Sequence, residues 1–180
     1  MIYVFFAQGF EEVEGIATVD VLRRAKLPVK LVGVGSEKIT GSHGITVFCD
    51  CEIDEITPND ELKAIVLPGG MPGTVNLEKS ILVQTYIDFA IEKKILICAI
   101  CAAPIILGHK GILNDRDAIC FPGFESDLVG ARISKSFVCK DGMIITAKGM
   151  GAAIDFGLEI AKHFVGETTT KSIRETLQCP

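Results

Sequence analysis

No run of Lys or Arg concentrates positive charge anywhere in the 180 residues, where 18 basic side chains stand against 23 acidic ones for a net charge of −5. That balance excludes a protein that binds nucleic acid through its electrostatic field, because such binding needs clustered cations to neutralise phosphates. Long apolar runs are missing as well. The longest, residues 95–107, is too short to cross a bilayer and contains Pro104. The opening residues MIYVFFAQGF have no basic segment ahead of their apolar part and soon meet Glu11, so they read as a strand and not as a leader. No Ser/Pro-rich linker, low-complexity tract or repeat interrupts the chain. The expectation is one soluble domain spanning 1–180, cytoplasmic, with no membrane partner.

Metal-ligand patterns are equally sparse. Seven cysteines occur, an odd number, with close pairs only at Cys49/Cys51 and Cys98/Cys101. Neither pair has a second pair or a neighbouring His to complete four zinc ligands, so no metal is expected. In a reducing compartment most of these thiols serve as small apolar fillers.

What the chain does have is core material: 48% hydrophobic residues against 23% charged. Short β-branched runs alternate with longer helical patterns, the mark of a doubly wound α/β sheet with helices on both faces. Strands are predicted at 2–7, 28–34, 63–67, 95–100 and 117–121. Two short extended pieces, 45–48 and 51–54, are expected to form a hairpin-like excursion. Helices are predicted at about 11–25, 79–93, 102–109, 151–164 and 167–178. Lys140-Asp-Gly142 between two β-like runs predicts a hairpin.

The sharpest local signal is ILICAICAAPIIL, a buried strand running straight into a helix. Its turn, Ala99-Ile-Cys101-Ala-Ala103, has the small-x-nucleophile-x-small form of a nucleophile elbow with Cys for Ser. Small residues are needed there because the strand and helix backbones nearly touch. The turn would hold Cys101 at a helix N-terminus, where the dipole and free amides favour thiolate. A plain buried Cys is the alternative reading. In the preceding strand unit, Val66-Leu-Pro-Gly-Gly70 ends in glycines that let amides approach a ligand, so the Gly70 and Ala102 amides are candidates for an oxyanion hole.

The first helix offers an acid. Glu14 shares a wheel stripe with Ala17, Thr18, Val21, Leu22 and Ala25, whereas Glu12, Asp20, Arg23 and Arg24 lie opposite. Glu11 and Glu12 are thus expected to be solvated charges near the helix N-terminus. Glu14 either faces inward with a raised pKa, able to move a proton to and from Cys101, or snorkels to the helix end. No His supports a conventional Cys–His pair: His109 is eight residues beyond Cys101 on the same predicted helix, roughly 12 Å along the axis. His163 is expected at the surface, and His43, in a loop, reaches the site only through folding or from another subunit.

Taken in order, Gly9-Phe-Glu11-Glu-Val-Glu14, Val19-Asp-Val-Leu-Arg-Arg24, Val66-Leu-Pro-Gly-Gly70, Ala99-Ile-Cys101-Ala-Ala-Pro104 and Gly149-Met-Gly151 resemble the ThiJ/PfpI superfamily, specifically its DJ-one branch. The likeness covers nearly the whole chain. It implies a flavodoxin-like three-layer sandwich, usually homodimeric and akin to class I glutamine amidotransferases. It further implies a reactive Cys101, a protonated Glu14 partner, anion-binding Gly70 and Ala102 amides, and no cofactor. Implied activities are glyoxalase or deglycase chemistry on small aldehydes or on glycated proteins and nucleotides, with chaperone and oxidative-stress roles also attributed. Three positions depart from the pattern. Phe121 precedes Pro122 where a His is common, which removes one candidate base. His43 stands where an Arg often reaches across the dimer. Ala102 replaces the His that follows the nucleophile in the protease-like branch, which argues against a peptidase.

Two readings follow. In the first, Cys101 attacks an α-oxoaldehyde and Glu14 moves the proton; in the second, Cys101 senses oxidants by becoming a sulfinate. A thioredoxin-like Cys98/Cys101 pair is disfavoured because Cys98 falls inside the strand. Flavin is disfavoured because the first turn presents carboxylates where a phosphate needs amides.

Overall fold

The computed structural model describes residues 1–179. Seven strands form one sheet. They are β1 (Ile2–Phe6), β2 (Val29–Gly33), β5 (Cys51–Glu52), β6 (Ala64–Leu67), β7 (Leu96–Ile100), β10 (Val138–Asp141) and β11 (Ile144–Ala147). Their order is β10-β11-β7-β6-β1-β2-β5, and all neighbours run parallel except the β10–β11 hairpin. Strands buried on both faces explain why β1, β6 and β7 read as continuous apolar runs.

Alternation along each strand sorts the core into two layers. Ile2, Val4, Phe6, Val66, Cys98 and Ile100 point to one face. There they meet Val19 and Leu22 of α1 (Glu12–Arg24) and Phe156 and Ile160 of α5 (Ala153–Thr176). Tyr3, Phe5, Ile65, Leu67 and Ile97 point to the other. That layer is closed by Leu77 of α2 (Gly73–Lys79), Tyr86 and Ile87 of α3 (Ile81–Glu92) and Ile106 of α4 (Pro104–His109). The chain is an α/β/α sandwich, as expected. No helix among the described residues is long and apolar enough to cross a membrane.

Five local expectations change. Residues 46–48 (β4) pair with β3 (Lys38–Thr40), not with 51–54, and β5 instead extends the main sheet beside β2. Helix α2 was hidden by the Gly- and Pro-rich stretch that precedes it. The segment at 117–121 contributes only β8 (Asp117–Ala118), paired with β9 (Arg132–Ile133) in a small separate sheet. Helix α4 begins at Pro104, because residues 101–103 are the turn itself. The two C-terminal helices are one long element broken at Gly166, whose φ of 79° ends the first part between the predicted segments.

Strand order reverses direction beside β1, which has β2 on one side and β6 on the other. Crevices at the carboxyl ends of strands at such a switch are where open α/β sheets bind ligands. The segments that follow β1, β6 and β7 carry Glu14, Gly69–Gly70 and Cys101.

Candidate active site

Cys101 leaves β7 with φ of +64°, a left-handed conformation that costs a non-Gly residue energy and persists only where the surroundings enforce it. The surroundings do so. The Cys101 amide donates to the Ala147 carbonyl at 2.9 Å, and the Phe121 amide donates to the Cys101 carbonyl at 2.8 Å. Both strand-side bonds hold the elbow while the side chain turns out toward the cleft. Cys98, three residues earlier, is fully buried in β7 and cannot act with it.

Glu14 lies in the first turn of α1 and is 1% exposed, so the inward alternative is the one the fold adopts. Its backbone amide is capped by the Glu11 carboxylate at 2.7 Å. Its Oε2 accepts the Gly69 amide at 2.9 Å, whereas Oε1 is buried with no partner of good hydrogen-bond geometry. Burial pushes this carboxyl up to about 7, against the opposing pull of the Cys101 side chain and the Gly69 amide.

Gly69 shows how tightly the pair is set. A Cβ at this position would lie 2.6 Å from both Glu14 Oε2 and Cys101 Cβ, so the two groups are no more than twice that distance apart. Only glycine fits between them. Gly70 is constrained as well, with φ of +89° and a Cβ position 2.3 Å from the Glu11 amide nitrogen. The amides of Gly70 and Ala102 both act on the Cys101 sulfur. The fold thus brings together four of the residues singled out from sequence, Glu14, Gly70, Cys101 and Ala102. Gly69, whose amide holds the acid, was missed, although the doubled glycine after β6 was the available signal.

The thiol does not follow the expected lowering. Burial first, then the negative charge of Glu14, push it up to about 12, while the Gly70 and Ala102 amides pull the other way. The helix dipole is weak here because α4 has only six residues and is separated from the sulfur by the turn. A protonated thiol beside a carboxyl pushed up to about 7 is an arrangement in which a proton can pass between the two groups.

Glu11 and Glu12 are not solvated. Glu11 caps α1, and Glu12 is 3% exposed beneath the 41–45 loop. The wheel placed Glu12 on the free side of an isolated helix, but this loop folds over that side and supplies donors. Glu12 accepts the His43 amide at 2.7 Å, the Ile45 amide at 3.3 Å and the His43 ring at 3.0 Å. Burial alone would raise its carboxyl, yet these bonds outweigh it and hold the group at about 2. His43 therefore anchors its own chain's loop to α1. His109 bonds Glu78 and Asp127, away from the site. His163 is half-buried, with its ring against Lys140.

Residues 1–163 match the DJ-1/PfpI family. Protein dj-1beta of Drosophila melanogaster is 32% identical over 97% of this chain and 94% of its own length. Glutathione-independent glyoxalase DJR-1.2 of Caenorhabditis elegans is 30% identical over 93% of this chain and 89% of its own. The crystal structure of a DJ-1 superfamily protein from Salmonella typhimurium superposes with a TM-score of 0.94 at 29% identity, covering 99% of this chain and 98% of that one. Fold, elbow and buried acid thus sit in a chain that belongs to the DJ-1/PfpI family.

Proposed function

We propose that the protein is a cofactor-independent cysteine enzyme that converts α-oxoaldehydes, or their early adducts, to hydroxy acids through Cys101 and Glu14. The observation that carries this reading is the Glu14 carboxyl, buried and set across Gly69 from Cys101, with burial pushing the acid up to about 7 and the thiol up as well. A base is most effective when its pKa is near the working pH.

With methylglyoxal, the thiol proton passes to Glu14 as sulfur bonds to the aldehyde carbon. The resulting oxyanion is held by the Gly70 and Ala102 amides and takes that proton to give a hemithioacetal. Glu14, again a carboxylate, removes the hydrogen from the former aldehyde carbon and returns it to the neighbouring carbon, while the hydroxyl proton of the hemithioacetal passes to the neighbouring oxygen. This leaves a lactoyl thioester on Cys101. Water then cleaves the C–S bond, releasing lactate and restoring the thiol, so the net reaction adds one water. The Caenorhabditis relative whose name is a glyoxalase supports this substrate class.

Lactate release from methylglyoxal tests the reading. Cys101→Ser is expected to lower the rate by at least about 100-fold, the scale at which losing an activated nucleophile is felt. Unchanged turnover would exclude the mechanism. The same amides suit a sulfinate, which favours oxidant sensing as the second reading. Two oxygens added selectively to Cys101 by mild peroxide, without lactate formation, would assign that role instead.

We infer as well that two copies pair through the outer side of α1 and the β3–β4 hairpin. Val13, Ile16, Ile45 and Phe48 are large apolar side chains left exposed there, Phe48 by 73%. Sedimentation should give a dimer, with Phe48→Glu shifting it toward monomer; a parent chain that sediments as a monomer at micromolar concentration ends this inference. His43 would enter a neighbouring site only through such a pair.

A further inference from the structure

Beside the elbow lies a cleft of about 300 Å³ lined by Phe121, Pro122, Phe137, Met150 and the Gly149 and Gly151 backbone. Its size is that of a small-ligand site. Its walls are apolar and open: Phe121 is 47%, Met150 54% and Phe137 63% exposed. Among the described residues, Lys148 is the one charged side chain lining it, and that ammonium sits 5.4 Å over the Phe137 ring. Gly149, one of the residues lining the cleft, also lies against the sulfur. A carbon built at the Cβ position of Gly149 would lie 3.2 Å from the Phe121 ring and 4.0 Å from Cys101 Sγ. An atom occupying that space touches the nucleophile and the ring together. Phe121 is fixed for this by its amide bond to the Cys101 carbonyl and by an edge contact with Phe124 at 6.5 Å between centroids.

We propose that this cleft receives the side group of the aldehyde, and that the preferred substrates are α-oxoaldehydes bearing an aromatic or bulky apolar group in place of the methyl of methylglyoxal. The inference rests on the aldehyde reading above. A methyl group leaves the cleft empty, whereas a phenyl group fills it against Phe121 and Met150. Differences of this kind in apolar pockets are worth roughly tenfold or more.

The probe is phenylglyoxal against methylglyoxal, read as protection of Cys101 from iodoacetamide and normalised to the affinity of each aldehyde for N-acetylcysteine. Phenylglyoxal should protect at roughly tenfold lower normalised concentration. A Phe121→Asn, Met150→Asn double variant, changing only exposed side chains, should bring the two aldehydes together. Equal protection in the parent, a preference surviving in the double variant, or no protection by either aldehyde overturns the proposal. Lactate and mandelate release are measured in parallel. A preference without turnover of either aldehyde sinks the enzymatic reading and leaves the cleft assignment standing.

Discussion

Glu14→Gln should make the thiol easier to ionise and the proposed aldehyde turnover slower at the same time. Removing the carboxylate takes away the charge and hydrogen bond that, after burial, hold the Cys101 thiol up. Alkylation by iodoacetamide above pH 7, where parental Glu14 is anionic, should therefore be faster in the variant. Turnover of methylglyoxal should nevertheless fall by about 10²- to 10⁴-fold, because Gln cannot accept a proton from sulfur or carbon. The opposite signs separate a proton-moving acid from one that merely packs. Slower alkylation together with retained turnover would sink the assignment of Glu14 as the base. A loss of both would point to a disturbed elbow, and the stability measurement below detects that.

The same substitution has a large and pH-dependent effect on stability. Glu14 titrates at about 7 in the fold against 4.5 when unperturbed. Below pH 4.5 both folded and unfolded chains carry the proton, and the buried group is neutral at no electrostatic cost. As pH rises from 4.5 to 7 the unfolded chain releases its proton first, so the folded state loses stability until its own carboxyl ionises. The loss amounts to about 3 kcal/mol at most, from 1.4 kcal/mol per pKa unit. Gln stays neutral throughout. In urea unfolding, the stability of the variant relative to the parent should thus rise by up to about 3 kcal/mol between pH 4.5 and pH 8. A difference that stays flat across that range would contradict the buried titrating acid.

Much of this site was readable from the chain because its rules are local. The small residues around Cys101 reflect a steric need of the elbow itself, and periodicity put Glu14 on the inward stripe of α1, although it left snorkelling to the helix end as an equal alternative. Burial on both faces likewise made the central strands plain. What escaped depended on distant segments. Glu12 looked free until the 41–45 loop was known to cover it, and residues 46–48 could not reveal that their partner was 38–40 and not 51–52. The direction of the Cys101 shift failed for a related reason. A helix start was visible in sequence, but the depth of the sulfur and the charge beside it were not.

The acid, the amides and the sulfur come from stretches following β1, β6 and β7, which are neighbours in space while lying dozens of positions apart along the chain. Such a centre has no half-built version: a folding intermediate lacking any one of the three strands in place would hold an ordinary cysteine and an ordinary carboxylic acid, neither of them pushed up by burial. The change in alkylation rate at that sulfur during refolding is therefore a clock for the last alignment of the middle of the sheet.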